Sequence, residues 1–125
     1  MRRWILPLLL IATPAAADLP PHVYEQERAE AAHVLVIQVQ SSEGLAENVS
    51  QGACRIEAVI TGVERGDRQT GDTLSLTLPC ETPDYVPPPG GFTGYRMHRL
   101  LEVRTARVWL DADGALVLRG FDSLD

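Results

Sequence analysis

The sequence predicts a mostly β domain: five short antiparallel strands curled into a small Greek-key barrel. One short N-terminal helix precedes them, and a long proline- and glycine-rich loop separates strands 3 and 4. Three observations carry this. Apolar and polar residues alternate on both sides of a turn centred on Asp67, and a second such stretch surrounds Ala112-Asp113-Gly114. Between them residues 81–95 hold four prolines and three glycines, which suit neither a helix interior nor a central strand.

The chain opens with Arg2 and Arg3, an apolar run over residues 4–12, and the A-x-A site Ala15-Ala16-Ala17. That order predicts a secretory signal peptide over residues 1–17, cleaved between Ala17 and Asp18. The apolar run is about half the length a membrane-spanning helix needs. The arginine pair lacks the motif that follows in twin-arginine signals, and no cysteine follows the cleavage site to take a lipid. Residues 18–125 are therefore expected as a single domain in the bacterial periplasm or medium, not inserted in a membrane. Losing Arg2 and Arg3 takes the formal charge from −6 to −8. An acidic surface repels phosphate backbones and offers anionic lipid no polybasic patch, which argues against nucleic-acid and membrane partners. The sequence has no lysine, so every fixed side-chain cation is an arginine.

Residues 18–22, with Pro20-Pro21, read as extended chain, and residues 24–32 as a helix of about two turns. Its Glu25, Glu27 and Glu30 form a solvated face with no partner for acid–base work. Residues 33–41 are the clearest strand, with Leu35, Ile37 and Val39 on one face and Gln38 and Gln40 on the other. Its continuous apolar start implies cover on both faces there. Residues 42–52 are a polar link, and its Asn48-Val49-Ser50 glycosylation match means little behind a bacterial export signal.

With Asp67 at the centre of the first hairpin, Cys54 lies opposite Cys80, Ile56 opposite Leu78, Ala58 opposite Leu76 and Ile60 opposite Leu74. The other face, Glu57 with Thr77, Val59 with Ser75 and Thr61 with Thr73, is mostly polar. A shift of one residue would mix the faces. Directly opposed cysteines have Cα atoms about 4.5 Å apart in a non-hydrogen-bonded pair, near the disulfide range. Export and an even cysteine count favour the same bridge, Cys54–Cys80, whereas the lack of CxxC spacing makes zinc a poor alternative. In the second hairpin Gly114 takes the left-handed loop position, Leu110 faces Leu116, and Val108 faces Leu118, with Trp109 and Arg107 on the opposite face. Asp111-x-Asp113-Gly114 lacks the rest of a calcium loop and reads as a turn.

Reactive constellations are sparse. His22, His33 and His98 are scattered, and His33, opening a strand, reads as a satisfied edge residue. Met97-His98 offers copper a soft donor beside an imidazole, but one such pair is too few ligands for a site. Ser41, Ser42, Ser50, Ser75 and Ser123 have no G-x-S-x-G context. Pro89-Gly90-Gly91 does not lead from a strand into a helix and so makes no phosphate cradle. An inward-facing disulfide offers no thiol chemistry. The expectation is a non-catalytic protein with no metal and no cofactor. Tyr85, Phe92 and Tyr95 in the long loop are the candidate binding residues for a protein or glycan partner, because loops carry function and aromatics anchor interfaces. A competing role for them is to cover one end of the core. The alternative is a structural or assembly accessory of the cell envelope that uses its sheet edges for contact.

Five short strands with a long link after the third suit a barrel of OB type. Residues 29–41, AEAAHVLVIQVQS, and 56–79, IEAVITGVERGDRQTGDTLSLTLP, resemble the netrin-like family, which includes tissue inhibitors of metalloproteinases and related exported bacterial domains. In that family a helical turn leads into a V-V-x-x-V strand, followed by V-x-x-V-x-[KR]-G and G-D-x-V-x-V. The last two resemble residues 60–66, with Ile60 in the first valine place, and residues 71–76. The similarity spans residues 28–80 and implies an OB-like scaffold used for binding. Inhibitors of that family present an N-terminal cysteine to a protease's zinc. Here the expected terminus is Asp18 and the first cysteine is Cys54, so that mechanism does not carry over.

Overall fold

A computed structural model describes residues 20–86, 89 and 94–125. The predicted leader 1–17, its cleavage pair Ala17 and Asp18, and Phe92 lie outside the described residues. In chain order the elements are α1 (Pro21–Ala29), β1 (His33–Glu43), β2 (Gln51–Arg65), β3 (Thr73–Glu81), β4 (Tyr95–Arg96), α2 (Met97–Leu100), β5 (Thr105–Leu110) and β6 (Leu116–Ser123). The strands make one curled, open sheet in the order β4-β3-β2-β1-β5-β6. Among the described residues there are thus six strands rather than five. The additional one, β4, runs parallel to the end of β3 through Cys80↔Tyr95 and Glu81↔Arg96. Two residues inside a proline-rich stretch show no alternation by which to recognise a strand.

Helix α1 starts at Pro21, where the proline pair had suggested extended chain, because a proline at the first helical position gives up only an N–H that would be unpaired anyway. It ends at Ala29 and not at residue 32. The Glu30 N–H closes on Gln26 O at 3.0 Å, and Ala31 then turns into the core with 5% exposure. No residue of α1 itself is buried.

The first hairpin keeps its predicted faces but not its register. Cys54 faces Leu78, Ile56 faces Leu76 and Ala58 faces Leu74. The pairing is displaced by two residues, which leaves every side chain on its expected face. Cys54 and Cys80 are therefore diagonal neighbours. The disulfide between them forms all the same, with Cα atoms 5.9 Å apart. The displacement originates at the turn. β2 continues to Arg65 against β1, whereas β3 begins only at Thr73, and Gly71 N donates to Ile60 O at 2.7 Å. Gly66 (φ 101°) and Gly71 (φ 98°) supply the left-handed backbone that this wide connection needs.

β1 is central, paired with both β2 and β5. His33 is therefore not on an edge strand, and its buried Nδ1 has no hydrogen-bond partner among the described residues, with Asp67 Oδ1 3.9 Å away. The apolar start of β1 is covered on both faces: Val34 is 5% exposed, and Leu35 and Ile37 are fully buried. The second hairpin turns where expected. Asp111 Oδ1 accepts the N–H groups of Asp113 (2.9 Å) and Ala115 (3.0 Å), and Leu110 faces Leu116. A bulge follows, so that Val108 faces Phe121 rather than Leu118. Arg119 (φ 52°) and Gly120 absorb it, Phe121 turns into the core, and Leu118 is left on the surface.

The core sits inside the curl. Leu35, Ile37, Ile56, Ile60, Leu78, Val108 and Leu110 are its fully buried large side chains, closed at one end by the Cys54–Cys80 bridge. Each such side chain contributes about 1.5–3 kcal/mol on burial. No helix among the described residues is long and apolar enough to cross a membrane.

Candidate functional site

The alternating directions of β3, β2, β1, β5 and β6 make β3 and β6 parallel to each other across the open side of the curl. Among the described residues no backbone ladder joins β6 to β3 or β4. Side chains close one end of this seam. Tyr95 on β4 meets Phe121 on β6 edge to face, with ring centroids 5.9 Å apart, and its hydroxyl bonds the Phe121 backbone. Burial pushes the Tyr95 phenol above its usual value, against smaller opposing effects from that hydrogen bond and from Arg28 and Arg119, so the ring stays neutral at physiological pH.

Beside this closure lies a groove of about 440 Å³ between Thr77 and Pro79 of β3, Gly94 and Tyr95, and the stretch of β6 around its bulge, with Tyr24 and Arg28 of α1 along one side. Its volume falls within the range of roughly 300–1,000 Å³ usual for ligand sites. The walls are apolar through Tyr95, Leu116, Leu118 and Phe121, and the charged groups are mainly cationic, in a chain whose net charge is negative.

Arginine chemistry holds α1 against the groove. Arg28 stacks on Trp109, with its guanidinium carbon 4.0 Å from the ring centroid. It donates from Nε and Nη2 to Arg119 O (3.1 and 2.6 Å) and reaches both Asp122 carboxylate oxygens at 3.3 Å. Arg65 Nη1 reaches the carbonyls of Arg28, Ala29 and Ala31 at the end of α1 (3.0–3.2 Å). A planar fork suits both tasks, stacking on an aromatic face and reaching several oxygens at once. Arg119 lies over the Tyr24 ring at 4.8 Å, is exposed, and has no ion pair among the described residues.

The long connection is pinned at its base. Glu81, 5% exposed, accepts the Gly94 N–H at 3.0 Å and so holds the two ends of residues 81–94 together. Gly94 has to be a glycine there, since a Cβ would lie 2.7 Å from Pro79 O.

Of the three aromatic candidates, Tyr95 lines the groove and also packs against the core. Tyr85 is half-buried in a turn whose N–H bonds Thr82 O (3.1 Å), and it is not among the groove residues. Phe92 lies outside the described residues. The Met97-His98 pair is split: Met97 Sδ accepts the Leu45 N–H at 3.2 Å, while His98 is exposed beside Arg96 and Arg99. Among the described residues no three or more His, Cys, Asp or Glu side chains gather as metal ligands would. Sequence reasoning did not find Tyr24, Arg28, Leu118 and Arg119. The one readable signal was Gly120 inside a strand pattern, which marks a bulge and hence an exposed Leu118. Comparison with protein-family models, with curated proteins and with solved structures finds no match to this chain.

Proposed function

We propose that the protein is an exported, non-catalytic binding module built on an OB-like barrel of netrin-like type, and that it recognises a protein or glycan partner at the seam groove. The observation carrying this reading is the groove itself: a ligand-sized, largely apolar cleft with arginines at its side, formed where the sheet fails to close. The strand order supports the scaffold. β5 returns by a long connection to lie beside β1, giving the order β3-β2-β1-β5 of a Greek key, and OB barrels are partly open five-stranded Greek keys. The Cys54–Cys80 disulfide is compatible with an oxidising compartment outside the cytoplasm.

Glycan and peptide arrays probed with the wild type and with Leu118→Glu test the reading. Leu118 is 40% exposed, so the variant keeps its stability and places a charge in the apolar wall. Binding lost in the variant at an unchanged melting temperature is the expected result. Binding that survives Leu118→Glu but is lost in Tyr85→Ala would move the site to the loop, and no binding to either array would end the proposal.

A further inference from the structure

The seam also has a backbone side. Ile60 N donates to Asp72 O at 2.9 Å, which sets the phase of the β2–β3 ladder. In an antiparallel pair the bonding direction alternates residue by residue. The even residues of β3 therefore bond β2, and the odd ones, Thr73, Ser75, Thr77 and Pro79, turn their backbone groups outward. Pro79, with no N–H to offer, stands at one of these outward positions, where proline is tolerated. On β6, Asp111 N bonds Ala115 O (2.8 Å), so Leu116, just before the bulge, points its backbone groups away from β5 in the same way. Among the described residues no strand pairs with the outward groups of Thr73, Ser75 and Thr77 or of Leu116; Thr77 and Leu116 face one groove, Ser75 and Thr73 continue the β3 edge beyond it, and the two strands run parallel to each other. A strand laid between them could be antiparallel to both.

Building on the binding-module reading, we propose that the ligand is a protein segment in extended form that adds to the Thr73–Thr77 edge of β3 and places a carboxylate on Arg119. Strand addition supplies affinity through main-chain hydrogen bonds, which a glycan cannot match in register, and alternate side chains supply selectivity. The charge follows from what the groove offers. Arg28 is occupied by Asp122 and the Arg119 carbonyl, whereas the Arg119 guanidinium rests on a ring at the rim with no acid paired to it among the described residues. An incoming aspartate or glutamate completes it with a charge-assisted pair.

The test uses a capped hexapeptide that alternates valine and threonine around one aspartate, a counterpart with lysine in that place, and an N-methylated form of the first. Isotope-labelled protein is titrated and its amide shifts are followed. The aspartate peptide is expected to move the amides of Ser75, Thr77, Leu116 and Leu118. The lysine peptide should bind about tenfold more weakly, the loss of one charge-assisted contact. Arg119→Gln should erase that difference, and N-methylation should abolish binding without any change to the protein.

Equal binding of the two charged peptides, or shifts confined to another face, would overturn the inference. So would concentration-dependent dimerisation through β3 with no peptide bound, which would make a second copy the occupant. A glycan that binds at Leu118 while all peptides fail would overturn it and leave the binding-module reading standing.

Discussion

Reducing the Cys54–Cys80 bridge should cost a substantial share of the about 5–15 kcal/mol by which a domain of this size is stable. The bridge spans a sequence separation of 26 residues. Releasing a loop of that size returns roughly 12 cal/mol/K to the unfolded chain, or about 3.5 kcal/mol at room temperature. For about 100 ordered residues the unfolding entropy is near 0.2 kcal/mol/K, so the melting temperature should drop by about 17 °C. Both cysteines are fully buried in the core, which orders the variants. Reduction alone removes the constraint and leaves the packing filled. C54A/C80A adds a small cavity, costing about 1 kcal/mol more. C54S/C80S buries two hydroxyls, at about 1–3 kcal/mol each where no partner is available. Urea unfolding with and without reductant measures the first difference, and the urea slope should rise on reduction because the freed denatured chain exposes more surface. A reduced protein within about 1 kcal/mol of the oxidised one would refute the loop argument. An alanine pair less stable than the serine pair would refute the packing argument.

Other expectations follow from single contacts. Arg28→Lys should lose about 1–2 kcal/mol and shift the Trp109 fluorescence, since an ammonium can neither stack flat on the indole nor bridge Arg119 O and Asp122 together. Glu81→Ala should cost about 1–3 kcal/mol by leaving the Gly94 N–H without its acceptor, and hydrogen exchange should show β4 losing protection before β2 or β3. In acid, stability should fall. The Arg107 fork holds Glu64 below its usual 4.5, and the Arg104 N–H with the Thr105 hydroxyl holds Asp125 below its usual 3.8. Both carboxylates stabilise the folded state above those values, and the contribution is lost as pH falls through the depressed ones. Glu64→Gln with Asp125→Asn should flatten the stability profile below pH 4.5, as read by urea midpoints across the acid range.

The parts of the fold that were legible are those that repeat with period two. The faces of β2 and β3 were readable because Cys54, Ile56, Ala58 and Ile60 alternate with polar neighbours. The same periodicity hid the register, since a slide of two residues preserves every face and only the turn decides between them. The turn could not be read because its geometry depends on β2 continuing against β1, a contact between distant parts of the chain. Tyr95 was singled out as an aromatic in an irregular stretch, and its contact with Phe121 depends on a bulge that shifts β6. Beyond the bulge that Gly120 marks, the groove was not readable. It is the space between two strands that do not pair, and nothing in either strand's sequence states that its neighbour is missing.

The attachment of α1 has a consequence for how the protein comes apart. The helix buries none of its residues in the core and is fastened by guanidinium groups: Arg28 on Trp109 and Asp122, and Arg65 on its final carbonyls. Guanidinium chloride is the same chemical group in solution and competes for those seats directly, whereas urea carries no charge. In the guanidinium salt the helix should let go at concentrations that leave the disulfide-closed sheet intact, giving two transitions where urea gives one. The two denaturants would then report different events in a single chain.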